Sequence, residues 1–299
     1  MTERPFPQVD GVEVAHRYVQ ARGLRFHVAE AGPPDAPVLL ALHGWPQHWF
    51  TWRKVLPALA AEYRVVMPDL RGLGWSEAPP RGYDKENLAD DVLALMDAMG
   101  LDRVKLLAHD WGGWVGYLIA LRAPERVERF VVLNIPPPWA RSPSRLRTVL
   151  GLWRLAYQVG LASPLGPRAL RAQQRVARGI RADNARPDSF SDADMAQFTA
   201  ALAEPARGRA TSQIYRTFLL RELPKLARGC YEDRPLTVPT LLLFGERDRV
   251  VTPELIDRAQ RPGDPLQVVR TPDSGHFIAD EQPQFVAEQA LAFFAAAES

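Results

Sequence analysis

The feature that most constrains this chain is an apolar run at residues 104–108 that leads directly into the sequence His-Asp-Trp-Gly-Gly at 109–113. An apolar helical pattern follows it. This order predicts a buried strand, a sharp turn with Asp110 at its apex, and a helix. A residue at such an apex has a strained backbone and close-packed neighbours, so small residues must flank it. Ala108 and Gly112 fill the two flanking positions.

Apolar runs typical of buried strands recur along the chain. They lie at 38–42, 65–67, 104–108, 130–133, 240–244 and 266–269. Helical patterns alternate with them, including one at 51–60 and one at 87–99 that Asn87 would cap. Before them, 18–19 and 24–30 show the alternation typical of two antiparallel strands. Strands that alternate with helices form βαβ units, so we predict an α/β fold with a mostly parallel, eight-stranded sheet and helices on both faces.

The alternation stops at three consecutive prolines, residues 136–138. From there onward the helical patterns are irregular and contain several further prolines. We therefore predict a first part of the core at 1–135, a helical cap inserted at 136–235, and the second part of the core at 236–299. Arginines recur at helical spacing within the cap, which favours a solvated helix face over a patch for anions or a membrane surface. They are Arg168, Arg171, Arg175 and Arg178.

The composition argues against several classes of protein. The 299 residues carry a net charge of +2, so no overall positive field favours nucleic acid. No apolar run approaches the ~18 residues of a membrane helix, which argues against stable membrane insertion. The single cysteine, Cys230, cannot form an internal disulfide, and the first residues lack the layout of a signal peptide. We expect a cytoplasmic protein whose oligomeric state stays open, a homodimer included.

Polar residues follow several of the predicted strands. The sequence His-Gly-Trp-Pro at 43–46 and Asp69 follow two early strands, whereas Asp110, Asp248 and His276 follow later ones. The carboxyl ends of parallel strands meet at one edge of a sheet, so these residues should lie together. A nucleophile, an acid and a histidine in this order form a catalytic triad, in which the acid orients the histidine and the histidine acts as a base. Each member alone has a structural explanation, such as a helix cap at Asp110, but the combination favours catalysis.

A carboxylate nucleophile restricts the chemistry. Asp110 is ionised at neutral pH without help, and its attack on an ester would give a mixed anhydride. Displacement at a saturated carbon that carries a strained or good leaving group gives an alkyl ester of Asp110 instead. Water activated by His276 would then attack that ester, and the resulting oxyanion needs two backbone N–H donors. Trp111, directly after the nucleophile, and Trp45, after the His-Gly pair, are placed to supply them.

These motifs together resemble the α/β-hydrolases of the epoxide hydrolase and haloalkane dehalogenase group. The shared segments are His-Gly-Trp-Pro at 43–46, Asp-Leu-Arg-Gly-Leu-Gly-Trp-Ser at 69–76, His-Asp-Trp-Gly-Gly at 109–113, Asp248, and Ser-Gly-His at 274–276. The resemblance covers the whole hydrolase part of the chain and is more specific for fold and nucleophile than for substrate. The resemblance implies the α/β-hydrolase fold and an enzyme that uses neither a metal nor a cofactor.

Two positions favour the epoxide hydrolases within that group. Their aromatic residue between His-Gly and Pro is matched by Trp45, whereas dehalogenases often carry asparagine or glutamate there. Epoxide hydrolases also use a pair of cap tyrosines as proton donors, and Tyr215 resembles the second of these. By its spacing to Gln158, the usual position of the first tyrosine is held by Trp153, and Tyr157 lies one helical turn away on the same face. Whether Tyr157 or Trp153 assists Tyr215 stays open.

The sequence therefore predicts a cofactor-independent epoxide hydrolase that converts a small hydrophobic epoxide to a diol, with Trp153 in contact with the substrate. A haloalkane dehalogenase is the main alternative, in which Trp111 and Trp153 would cradle the halide. Another α/β-hydrolase activity and a non-catalytic ligand-binding protein are further alternatives. A fluoroacetate dehalogenase is disfavoured, because Trp111 and Trp114 stand where that family has arginines to hold the substrate carboxylate.

Overall fold

The structure is a computed structural model that describes residues 4–140 and 156–296 of the chain. In this part of the chain one eight-stranded sheet forms the centre of the fold. Its strands are β1 Ala15–Ala21, β2 Leu24–Ala31, β3 Val38–Leu42, β4 Arg64–Pro68, β5 Val104–His109, β6 Val127–Leu133, β7 Thr240–Gly245 and β8 Leu266–Thr271. They are arranged in the order β1-β2-β4-β3-β5-β6-β7-β8. Strand β2 is antiparallel to β1 and β4, and the remaining neighbours are parallel, which confirms the predicted fold class.

Helices connect the strands and cover both faces of the sheet. They are α1 Leu56–Leu59, α2 Lys85–Ala98, α3 Asp110–Arg122, α4 Ala156–Ala162, α5 Gly166–Ala169, α6 Gln173–Ala182, α7 Asp192–Leu202, α8 Pro205–Thr217, α9 Leu223–Ala227, α10 Pro253–Ile256, α11 Ile278–Glu281 and α12 Pro283–Ala295. Short 3₁₀ segments occur at Trp49–Lys54, Pro124–Arg126 and Pro187–Ser189. A π-helical segment, Phe218–Glu222, joins α8 to α9.

Two of the predicted helices differ in the structure. The helix expected at 51–60 is wrong, because a 3₁₀ segment ends at Lys54 and a separate four-residue helix follows. Pro57 lies in the first turn of α1, where its missing N–H is harmless, but it cannot continue a helix that began earlier. Helix α2 begins at Lys85, two residues before Asn87, because the side chain of Asp84 accepts a hydrogen bond from the Asn87 N–H at 3.0 Å and caps the helix.

The apolar strands are continuous because the sheet is covered on both sides. Along β5, Leu106 and Ala108 pack into the core layer that contains α2 and α3. Leu107, between them, packs into the opposite layer with α12 and the aromatic residues of the segment Trp49–Lys54. A parallel strand buried on both faces has no polar side, which explains why these runs do not alternate. This sandwiching holds the carboxyl end of β5, and with it Asp110, in a fixed position.

Helices α4 to α9 all lie between β6 and β7, where the sequence predicts a cap. The boundaries proposed for that cap, 136–235, stay a prediction. All four arginines at helical spacing have exposed side chains, as expected for a solvated face. Trp153 lies outside the described residues. Among the described residues, no helix has both the length and the apolar character needed to span a membrane.

Candidate active site

Asp110 lies at the junction of β5 and α3, in the left-handed backbone region with a φ of 50°. Neighbouring glycines make this turn sterically feasible. A Cβ atom at Gly44 would lie 2.4 Å from the Cβ of Asp110, and one at Gly112 would lie 2.3 Å from the backbone oxygen of His43. Such distances are far below van der Waals contact, so both positions require glycine. The strained turn predicted from the sequence is confirmed.

His276 joins the two carboxylates predicted as nucleophile and acid. Its Nε2 lies 3.4 Å from Oδ2 of Asp110, and its Nδ1 lies 2.9 Å from Oδ2 of Asp248. All three side chains are buried. Asp248 and His276 stand in the loops after β7 and β8, so three strand ends deliver one residue each. The structure therefore brings the predicted triad together.

The electrostatics of this group are dominated by His276. Burial by itself would lower the pKa of the imidazole, but the carboxylates of Asp248 and Asp110 raise it well above its usual value. Burial would likewise raise the pKa of Asp110, and the hydrogen bond and charge of His276 hold it below its usual value. These interactions favour an imidazolium between two carboxylates in the resting site.

Asn134, at the end of β6, was missed by the sequence reasoning. It is fully buried and has a φ of 48°. Its Nδ2 donates to Oδ2 of Asp248 at 2.7 Å and to the carbonyl of Gly275 at 3.0 Å, while its Oδ1 accepts from the N–H of Gly245 at 3.3 Å. Asn134 therefore ties the acid of the triad to the loop that carries His276. Its only sequence signal is its place after an apolar strand.

Two backbone N–H groups converge on the carboxylate of Asp110. The N–H of Trp45 donates to Oδ1 at 2.9 Å, and the N–H of Trp111 also donates to this carboxylate. Trp45 precedes a cis peptide bond to Pro46. These are the two donors expected from the sequence, and the arrangement can bind negative charge that develops on the Asp110 carboxyl group.

Two tyrosines from the inserted helices stand near these tryptophans. Tyr215, on α8, is 2% exposed and makes edge-on ring contacts with Trp45 and Trp111 at centroid distances of 5.2 and 5.9 Å. Tyr157, on α4, is 40% exposed, and its ring centroid lies 5.9 Å from that of Tyr215. Burial, then the neighbouring Tyr157 and Asp110, raise the pKa of Tyr215 well above its usual value. Its hydroxyl is therefore protonated at neutral pH.

A cavity of about 650 Å³ brings Asp110, His276, Tyr157 and Tyr215 onto one surface. The wall formed by the described residues is mainly apolar. It includes Trp45, Leu161, Leu170, Val176, Ile180 and Phe277. The volume and the mainly apolar lining suit a hydrophobic small molecule.

Two features of the site were not predicted. Asp183 and Arg175 place charged side chains in the wall of the mainly apolar cavity. Asp69 lies at the predicted edge, 3.7 Å from Nε2 of His43, but it is fully buried and does not line the cavity. Its carboxylate accepts hydrogen bonds from the N–H groups of Trp49 at 2.9 Å and Trp75 at 2.8 Å, so it stabilises the two loops that carry these residues.

The described residues contain no cluster of three or more His, Cys, Asp or Glu side chains that could hold a metal ion. The described part of the site presents carboxylates, an imidazole, tyrosine hydroxyls and backbone N–H groups.

Comparison with known proteins agrees with this architecture. A family model for the alpha/beta hydrolase fold matches residues 37–283. The soluble epoxide hydrolase of Corynebacterium sp. (strain C12) is 32% identical over 288 residues, which cover 95% of this chain and 98% of that protein. The solved structure of the epoxide hydrolase CorEH, without ligand, superposes with a TM-score of 0.82 at 32% identity and covers 95% of this chain and 99% of that one.

A plant enzyme has the same architecture at greater sequence distance. The epoxide hydrolase VrEH1 from Vigna radiata superposes with a TM-score of 0.78 at 26% identity, over 94% of this chain and 98% of that one. The fold and the family model define an α/β-hydrolase. Within that class, the chain belongs to the epoxide hydrolase family.

Proposed function

We propose that this protein is an epoxide hydrolase that opens a small hydrophobic epoxide to a vicinal diol through a covalent ester on Asp110. One observation carries the proposal: a buried carboxylate and two tyrosines with protonated hydroxyls line the same apolar cavity. An epoxide needs both partners, because its carbon must be attacked while its oxygen receives a proton. The similarity to named epoxide hydrolases over nearly the full length supports the same reaction.

In the first step a carboxylate oxygen of Asp110 attacks an epoxide carbon, and the bond from that carbon to the ring oxygen breaks. The developing alkoxide takes a proton from the hydroxyl of Tyr215, with Tyr157 as the second donor. The raised pKa of Tyr215 keeps its proton in place until a strong base, the alkoxide, forms. The proton donors therefore come from the inserted helices, whereas the nucleophile stands at the end of a strand of the sheet.

In the second step His276 activates water to hydrolyse the ester. Esterification removes the negative charge of Asp110, so part of what holds the pKa of His276 high is lost. The imidazolium then gives its proton to the tyrosinate formed in the first step, which leaves a neutral imidazole. Water gives its proton to His276 and attacks the ester carbonyl, and the N–H groups of Trp45 and Trp111 stabilise the oxyanion. Collapse transfers the proton of the new carboxylic acid to the departing alkoxide, which releases the diol and restores the carboxylate. His276 keeps the proton taken from water and thereby returns to its starting state.

The inserted helices serve as a cap in this proposal, because they contribute both tyrosines and much of the apolar wall. The cytoplasmic location and the homodimer stay predictions.

One observation favours haloalkane dehalogenation as a second candidate. The indole N–H of Trp111 is buried next to the Tyr215 hydroxyl and could bind a halide leaving group in its place. Trp153 would have to provide the matching donor. A halide needs no proton, so this reaction would leave Tyr215 without a role.

The two candidates differ in the product released from styrene oxide and from bromobutane. We expect the wild-type enzyme to form styrene diol and to release no bromide. Tyr215→Phe should slow diol formation by about 10²-fold or more, since general acid catalysis contributes that much. Tyr117→Phe is the matched control, because the Tyr117 hydroxyl is fully buried and has no hydrogen-bond partner within residues 4–140 and 156–296. Bromide release without diol, or equal rates for the two variants, would contradict the proposal.

A further inference from the structure

A buried ion pair lies directly behind the active site. The side chain of Lys85, the first residue of α2, is 1% exposed. Its Nζ lies 2.8 Å from Oε2 of Glu222, and its backbone N–H donates to Oε1 of the same side chain at 2.5 Å. Glu222 ends the π-helical segment that follows α8, the helix of Tyr215. One carboxylate therefore anchors the inserted helices to the start of a core helix.

The ammonium group also touches the aromatic wall of the site. Its Nζ lies 4.2 Å from the centroid of the Trp111 ring and 5.6 Å from that of Phe218, at cation–π distance. It lies 3.4 Å from the carbonyl oxygen of Ile214, the residue before Tyr215. The Trp111 ring in turn packs against Phe218 and Tyr215 at centroid distances of 4.9 and 5.9 Å. The Lys85 cation therefore contacts Trp111 directly, and it is linked to Tyr215 through the Ile214 carbonyl and the Trp111 ring.

Stability alone does not account for such a pair. Burial lowers the pKa of Lys85, and the carboxylates of Glu222 and Asp110 oppose that shift. Well-packed apolar residues of similar size often replace a buried ion pair at no loss in stability. Neither step of the proposed reaction uses Lys85 or Glu222 directly. π-Helical turns within α-helices occur frequently at functional sites, and this one separates Tyr215 from its anchor at Glu222.

We propose that Lys85 and Glu222 are positioning residues for the ring-opening step, which fix the Tyr215 hydroxyl relative to the Asp110 carboxylate. This inference rests on the proposed function. The pair fixes the end of α8, because Lys85 contacts the carbonyl of Ile214 and Glu222 ends the π-helical segment that follows. The ammonium group also contacts the Trp111 ring, against which Tyr215 packs. Loss of this positioning should slow the reaction strongly, since a misplacement of a reacting group by about 1 Å can lower the rate ~10²-fold.

The test replaces the pair by apolar residues and separates stability from rate. In the His276→Gln background the ester accumulates, so its formation rate with styrene oxide, followed by quenched-flow mass spectrometry, reports ring opening alone. The double variant Lys85→Met/Glu222→Met should keep the thermal stability of its parent yet form the ester about tenfold more slowly. Glu222→Gln, which preserves the shape of the side chain, should show a loss of rate in the same direction.

Two controls make the result specific. The pair formed by Lys105 and Glu128 at the starts of β5 and β6 has the same composition, and its replacement by methionines should leave the rate unchanged. In a Tyr215→Phe background, the Lys85/Glu222 replacement should change the rate by less than about twofold, because the residue that it positions is already inactive.

The outcomes distinguish the positioning role of Lys85 and Glu222 from the proposed epoxide hydrolase activity. A full rate of ester formation in the double variant, or an undiminished tenfold loss in the Tyr215→Phe background, would overturn the positioning role while the proposed function stands. If the double variant does not fold, Glu222→Gln decides by the same comparison. Absence of diol formation by the wild-type enzyme would overturn the proposed function and this inference with it.

Discussion

Replacing Asn134 with alanine should weaken both the fold and the second half-reaction. The substitution removes three hydrogen bonds from a fully buried site, including the one to the carboxylate of Asp248. It also places alanine at a φ of 48°, where asparagine is tolerated better. The perturbation is thus confined to the side chain that links the acid of the triad to the loop of His276.

The size of the effect follows from these contacts. A hydrogen bond to a charged group contributes about 1.5–3 kcal/mol and a neutral one about 1 kcal/mol, and the left-handed backbone adds about 1 kcal/mol of strain. We expect Asn134→Ala to lose about 5 kcal/mol of unfolding free energy, a large part of the ~5–15 kcal/mol typical of a domain. Asp248 keeps its bonds from the N–H groups of Val250 and Val251, so ester hydrolysis should slow only about tenfold.

Urea denaturation and single-turnover kinetics measure the two parts separately. The midpoint should fall at an unchanged m-value, and the ester on Asp110 should persist longer after mixing with styrene oxide. Asn184→Ala is the control, because neither polar atom of the Asn184 side chain has a hydrogen-bond partner in the described part of the chain, and it should stay within about 0.5 kcal/mol. A loss below about 1 kcal/mol for Asn134→Ala would refute the reasoning from its hydrogen bonds.

Two further predictions concern the turn and the titration of the site. Gly44→Ala puts a Cβ 2.4 Å from that of Asp110 and should lower turnover by ~10²-fold in a steady-state assay, and unchanged turnover would contradict this steric argument. Because the folded pKa of His276 is raised, its contribution to stability is full below about pH 6.5 and is lost as pH rises through the folded pKa. Urea midpoints should therefore fall with rising pH above this value in the wild type but not in His276→Gln, and parallel curves would contradict the ion pairing.

The sequence predicts those parts of the molecule that depend on near neighbours in the chain. Apolar runs that end in polar residues located the strands, and Gly112 beside Asp110 marked the strained turn. These signals are local, because the residues that form each strand or turn are adjacent. Chain order then placed Asp248 and His276 at the same edge, since parallel strands share an orientation.

Contacts between distant segments could not be predicted in the same way. Asn134 lies 114 residues from Asp248, and Lys85 lies 137 residues from Glu222, so no periodicity links either pair. Asp69 has the same place at a strand end as Asp110, yet the path of its loop turns it into the interior. Which polar residues after a strand face the cavity depends on loop packing, which hydrophobic patterns do not record.

The most direct test of the central claim is to trap the covalent intermediate. His276→Gln incubated with styrene oxide should gain the mass of one substrate molecule, and peptide mapping should place the adduct on Asp110. The wild-type enzyme under the same conditions should form diol and show little adduct at steady state. An adduct on another residue, or no adduct across a panel of epoxides that the wild-type enzyme hydrolyses, would contradict Asp110 as the nucleophile.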